Sequence, residues 1–253
     1  LVRTPRGLEP TPRAQQLAEP LGRALDGLRG LLRPQHFDPA TATGRIRITT
    51  TDYFSLLVLP GLLQRLAEHA AGLDVEVLQI GSEPEQQLVD GRSDLAIGVL
   101  QAPPAGLMRQ HLFEDGLACV LRRDHPAAGA LDLARYLSLP HAFITVTGQG
   151  RGIIDGLLAE RGLERRVALR LPHFLAAPLI VAETDLVLTL PRRIAERFAR
   201  MAPLVVLDVP LCAKPFDIVQ AWHERHRDDP RHAWVRRQVL AAAREAIATD
   251  APP

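Results

Sequence analysis

The chain is 253 residues long, 47% hydrophobic but only 4% aromatic, with a formal net charge of +1. That length allows one large or two modest domains with aliphatic cores, as in layered α/β packing. Near-neutral charge argues against a surface that grips nucleic acid throughout, and no run approaches the ~18 apolar residues of a membrane span. The basic residues are Arg apart from Lys214, and Asn is absent, a pattern of codon bias rather than of a functional Arg cluster. Cys119 and Cys212 lie in apolar strand-like runs and read as free buried thiols. With no export signal in the sequence, a soluble cytoplasmic protein is expected.

Residues 1–8 predict a hairpin, two short strands about a turn at Pro5-Arg6-Gly7, and Thr11-Pro12 is a helix start. Over 13–32, Leu17, Leu21, Leu25, Leu28 and Leu32 make one narrow apolar stripe, better suited to pairing with another chain than to a core. Residues 33–44 lack a period and read as a linker. Strands at 45–50, 74–80 and 94–99 then alternate with helices at 53–70 and 83–91. This rhythm predicts a mostly parallel sheet with right-handed crossovers. A longer strand pair over 107–126 follows. The rhythm restarts with strands at 141–146, 166–171 and 185–190 and helices at 152–162, 174–183 and 191–201. Strands at 203–209 and 216–222 and a helix at 231–248 close the chain, so two lobes about a hinge are expected.

The segments "LVRTPRGLEPTPRAQQL", "GRIRITTTDYFSLLVLPGLLQRLAEHA", "DLAIGV", "CVLRRDHP" and "ETDLVLTLPRRIAERFA", in this order, resemble the LysR-type transcriptional regulators over nearly the whole chain. Within that family, "PHFLAAPLIVAETDLVLTLP" most resembles the branch of nodulation-type and aromatic-responsive regulators. The resemblance implies an α/β fold: a two-lobed effector domain like the type 2 periplasmic binding proteins, preceded by a linker helix. Its expected parts are a remnant of the DNA-binding wing (1–10), linker helix and hinge (11–43), a first lobe (44–122 plus 208–250) and a second lobe (123–207). It implies a small-molecule effector in the interlobe cleft, a homodimer or homotetramer, and promoter DNA bound only through an N-terminal domain missing from this chain. A solute-binding receptor of the same fold is the rival reading.

Ligands of open α/β sheets sit beyond the carboxyl ends of strands, where helix N-termini offer free N–H groups. Thr51, Asp52 and Tyr53, at the first strand-to-helix junction, either cap the helix or face the cleft as well. Ser82 repeats that choice after the second strand, and the resemblance implies that both positions touch effector. Gly98, Val99 and Leu100 end the third strand, where backbone can approach a ligand closely. In the second lobe Thr145, Thr147 and Gln149, with His173 and Phe174, are expected at the same mouth. The G-x-G-x-G spacing of 148–152 fits no nucleotide pattern. "WHERHRDDPRH" (222–232) reads as a solvated turn rather than a metal site. No nucleophile–base arrangement occurs, so no catalytic residue, metal or cofactor is expected, and the effector should be small and polar or weakly anionic.

Overall fold

A computed structural model describes residues 2–4, 7–32, 37–81, 83–100, 105–146 and 152–249. The chain divides into two compact units, residues 1–37 and 38–253.

In the first unit, β1 (Val2–Thr4) pairs antiparallel with β2 (Gly7–Glu9), as the hairpin reading expects. The proposed turn residues Pro5 and Arg6 lie outside the described residues. Helix α1 (Pro12–Leu32) starts at the expected signal. The Thr11 hydroxyl accepts from the Ala14 N–H at 3.2 Å, and Pro12 occupies a position that needs no donor. Leu17, Leu21 and Leu25 stand exposed along one side of α1; the side chains of Leu28 and Leu32 lie outside the description.

The second unit holds two five-stranded sheets with the same plan. In the first, β4 (Gly72–Gln79), β3 (Thr43–Thr50) and β5 (Leu95–Gly98) run parallel. The antiparallel β12 (Phe216–His223) then separates them from β6 (Leu107–Asp115) at the edge. In the second, β9 (Val167–Leu171), β8 (His141–Ile144) and β10 (Val187–Pro191) run parallel. Here the antiparallel β7 (Leu117–Arg122) separates them from β11 (Leu204–Asp208). Each sheet is therefore mostly parallel with one reversed strand, and each reversed strand follows a passage of the chain from one lobe to the other.

That plan moves the expected lobe boundary. The resemblance puts residues up to 122 in the first lobe, and the pattern reads 107–126 as a strand pair. Instead β6 and β7 belong to different sheets, and the chain crosses at Asp115-Gly116-Leu117. The cause is burial. β6 exposes Arg109, Gln110 and His111, as an edge strand can, whereas Ala118, Cys119, Val120 and Leu121 are all buried. Four consecutive buried residues need neighbours on both sides and cover on both faces, which the slot between β10 and β11 provides. The return passage runs from β11 to β12, and its Leu211 and Ala213 still pack into the second lobe.

Helix α2 (Asp52–His69) lays Tyr53, Phe54, Leu57, Val58, Leu62 and Leu66 on the first sheet at helical spacing. The last helix, α8 (Pro230–Thr249), returns to the first lobe and meets α2 so closely that a Cβ on Gly61 would lie 3.3 Å from the Ala242 Cβ. Short helices α3 (Pro84–Val89), α5 (Ile153–Ala159), α6 (Ala176–Ala182) and α7 (Arg192–Ala199) fill the remaining crossovers. Helix α4 (Leu133–Ser138) escaped the sequence reading because six residues carry too little periodicity. Its signal was local: the Asp132 carboxylate accepts from the Arg135 N–H at 2.8 Å. Among the described residues no helix is long and apolar enough to cross a membrane.

Candidate functional site

A cavity of about 770 Å³ opens between the two sheets. Its walls come from the carboxyl ends of parallel strands in both lobes and from the helix starts that follow them. From the first lobe come Thr51, Tyr53 and Phe54 at the head of α2, Ile80, Gly81, Pro84 and Glu85 around the start of α3, and Gly98, Val99 and Leu100 beyond β5. The second lobe answers with Phe143, Ile144 and Val146 after β8, Ile153 and Ile154 at the head of α5, Phe174, and Thr189, Leu190 and Pro191 ending β10. Leu117 and Phe216 line it from the two crossings. Most of this wall is apolar.

The three threonines at the end of β3 have different fates. The Thr49 hydroxyl donates to Gln87 Oε1 at 2.8 Å, and that of Thr50 to the Ile97 carbonyl at 2.9 Å. Thr51 stands at the N-cap of α2 but makes no side-chain cap bond, and its buried Oγ1 has no hydrogen-bond partner. A buried hydroxyl left unpaired costs ~1–3 kcal/mol, and the residue that carries this one also lines the cavity.

Tyr53 is buried against Phe54, with ring centroids 4.5 Å apart, and against Phe174 across the cleft at 5.7 Å. Its hydroxyl donates to Asp115, whose carboxyl burial raises above the ordinary carboxylate value despite that bond.

Arg165 brings a cation to the wall with a side chain only 3% exposed. Its Nε donates to Asp155 Oδ1 at 2.7 Å, and a second guanidinium nitrogen donates to the Tyr136 hydroxyl at 3.1 Å. That hydroxyl lies 2.8 Å from Thr189 Oγ1, which is in turn 3.5 Å from Cys119 Sγ. The other Asp155 oxygen accepts from the Gly152 N–H at 2.9 Å, fixing the start of α5. Burial by itself raises the Asp155 carboxyl, but the Arg165 bond and charge outweigh it and hold the carboxyl below its usual range. Burial pushes Tyr136 up to about 12 and Cys119 up to about 11. The corner therefore stays a paired ion and neutral hydroxyls near neutral pH. Gly152 keeps the Phe143 ring seated, because a Cβ there would lie 2.7 Å from the ring.

Of the sites expected from sequence, Thr51, Tyr53, Gly98, Val99, Leu100 and Phe174 meet on the cavity. Three do not line it. Asp52 turns both carboxylate oxygens toward backbone N–H groups, the Thr145 N–H is held by the Leu171 carbonyl at 2.9 Å, and His173 is exposed. Ser82, Thr147 and Gln149 lie outside the described residues. The sequence reading missed Thr189–Pro191, although the strand-end rule that found Gly98–Leu100 applies equally to the third strand of the second lobe. Nothing in the sequence flagged Arg165, which precedes β9 and reaches the wall through the length of its side chain.

Among the described residues no nucleophile and base face each other across this cavity, and no group of three His, Cys, Asp or Glu side chains could hold a metal ion. Two lobes, two crossings and a largely apolar cleft at the strand ends define a small-molecule-binding α/β domain. Residues 39–244 match the family model of the LysR substrate binding domain. The HTH-type transcriptional regulator SyrM 1 of Sinorhizobium fredii is 35% identical over 249 residues, covering 96% of this chain and 72% of its own. The HTH-type transcriptional activator NagR of a Ralstonia species is 33% identical over 250 residues, covering 97% and 82%. The crystal structure of the probable transcriptional regulator PA0477 from Pseudomonas aeruginosa superposes with a TM-score of 0.74 at 34% identity, covering 94% of this chain and 81% of that one. The chain belongs to the LysR family of transcriptional regulators and carries its effector-binding domain.

Proposed function

We propose that the interlobe cavity binds the effector of a cytoplasmic transcription regulator. The ligand has an apolar body and one polar or weakly anionic group directed at Thr51. The observation that carries this reading is the buried, unpartnered Thr51 hydroxyl on the wall of a cavity large enough for a small metabolite. Phe54, Phe143, Phe174 and Phe216 supply the apolar contact. The Arg165 charge is matched by Asp155, so the wall favours a dipole or a weak acid over a strong dianion. Regulators of this family bind small-molecule effectors and DNA. Here the ligand acts by favouring one arrangement of the lobes, which requires different affinities for two states. The solute-receptor reading gains no support, since the relatives are transcription regulators.

A thermal-shift screen over metabolites, with calorimetry on the hits, tests the site. Gly152→Ala should drive the Phe143 ring into the cavity and weaken every true hit at least ~10-fold, a ~1.4 kcal/mol effect within the range of an overpacked wall. Hits that bind Gly152→Ala as tightly as the wild type would move the site elsewhere.

A further inference from the structure

Asp52 opens α2 in the first lobe, and its carboxylate reaches the second. Oδ2 accepts from the Leu175 N–H at 2.9 Å, while Oδ1 accepts from the Phe174 N–H at 3.2 Å and from the N–H of its own neighbour Tyr53 at 3.1 Å. Both foreign donors lie in the turn that feeds α6, where N–H groups have no partner within the helix. A carboxylate that accepts three N–H groups is saturated along its inner edge, and charge strengthens each bond. The same seam carries the Tyr53–Phe174 ring contact, and the Tyr53 hydroxyl reaches Asp115 beside the Gly116 crossing. One turn of α2 thus touches the second lobe through a charge and a ring.

We propose that Asp52 is a latch between the lobes. Its grip on the Phe174 and Leu175 amides holds the cleft at its present opening, and release lets the lobes swing about the Asp115–Leu117 and 209–215 passages. The latch rests on backbone geometry and does not depend on which effector fills the cavity. It also places a control point one residue from Thr51.

Hydrogen exchange on the full chain tests it without a ligand. In the wild type the Phe174 and Leu175 amides should exchange well below the free-chain rate. Asp52→Asn leaves one acceptor and should speed them ~10-fold or more, with Asp52→Ala faster still. Asp132→Asn, which removes a capping carboxylate from α4, should leave both amides unchanged. Spin labels at positions 114 and 160, in a Cys212→Ser background, should report a longer or broader interlobe distance in Asp52→Asn. Exchange at the free-chain rate in the wild type overturns the latch, and that reading needs no variant to fold. So does an interlobe distance unchanged in a folded Asp52→Asn protein. Either result leaves the effector site to be judged by its own screen.

Discussion

Thr51 is set apart from Thr49 and Thr50 by one property, a buried hydroxyl with nothing to bond. Thr51→Val keeps the shape and deletes the hydroxyl. Because Thr51 makes no cap bond, the ~1 kcal/mol usually lost with an N-cap should not be lost here. The melting temperature should hold or rise. Affinity for a confirmed effector should fall by ~0.5–1.5 kcal/mol for a neutral partner group or ~1.5–3 kcal/mol for a charged one. A calorimetric titration that shows unchanged affinity would remove Thr51 from the site. His141 offers a second test. It is wholly buried, its Nε2 lies 2.8 Å from the Tyr136 carbonyl, its Nδ1 has no partner, and burial lowers its pKa from 6.5 to about 4. Between those values the unfolded chain holds a proton that the folded chain rejects, so stability rises with pH there and is fully present above 6.5. At ~1.4 kcal/mol per pKa unit the effect is about 3 kcal/mol. His232, lowered to about 4 chiefly by burial, acts in the same window. Wild-type melting should drop as pH falls from 6.5 toward 4, and His141→Gln should flatten about half of that drop. Parallel curves for the two proteins would refute the assignment.

Elements long enough to show a period were legible in the sequence: β3, α2, β5, β10 and α8 all lie within two residues of where the pattern puts them. What the pattern could not carry was partnership. β7 reads as a continuation of β6 in one dimension, and only its unbroken burial hints that it needs neighbours on both sides. The site was legible to the same degree. The strand-end rule locates Thr51 and Gly98–Leu100 because backbone topology fixes those positions. Arg165 and Phe143 arrive through side-chain reach, and Asp52 leaves the cavity because a better set of donors waits in the turn before α6. Such choices are made between elements distant in sequence, so no local window contains them.

At the scale of the molecule, β4 ends the first sheet with no further strand beside it among the described residues, and Val77 on it and Leu63 on α2 are 43% and 51% exposed. Arg45, Asp74 and Glu76 border the same surface. Such an edge beside exposed aliphatics suits a second copy about a two-fold axis. The chain should therefore scatter light as at least a dimer at high micromolar concentration, and Leu63→Glu should shift it toward monomer. A monomeric wild type would rule this surface out. The interleaved topology has another consequence, in the order of synthesis. The second sheet is encoded without interruption from Leu117 to Asp208, so all its strands have been made before β12 exists. The first sheet, begun earlier, keeps a gap between β5 and β6 until β12 is translated, and Phe216 on that strand also lines the cavity. On the ribosome the inserted lobe can fold while the first waits with an unfilled centre. The cavity is then the last feature to form, and if it is the effector site as proposed, a nascent chain still lacking β12 should not bind the effector.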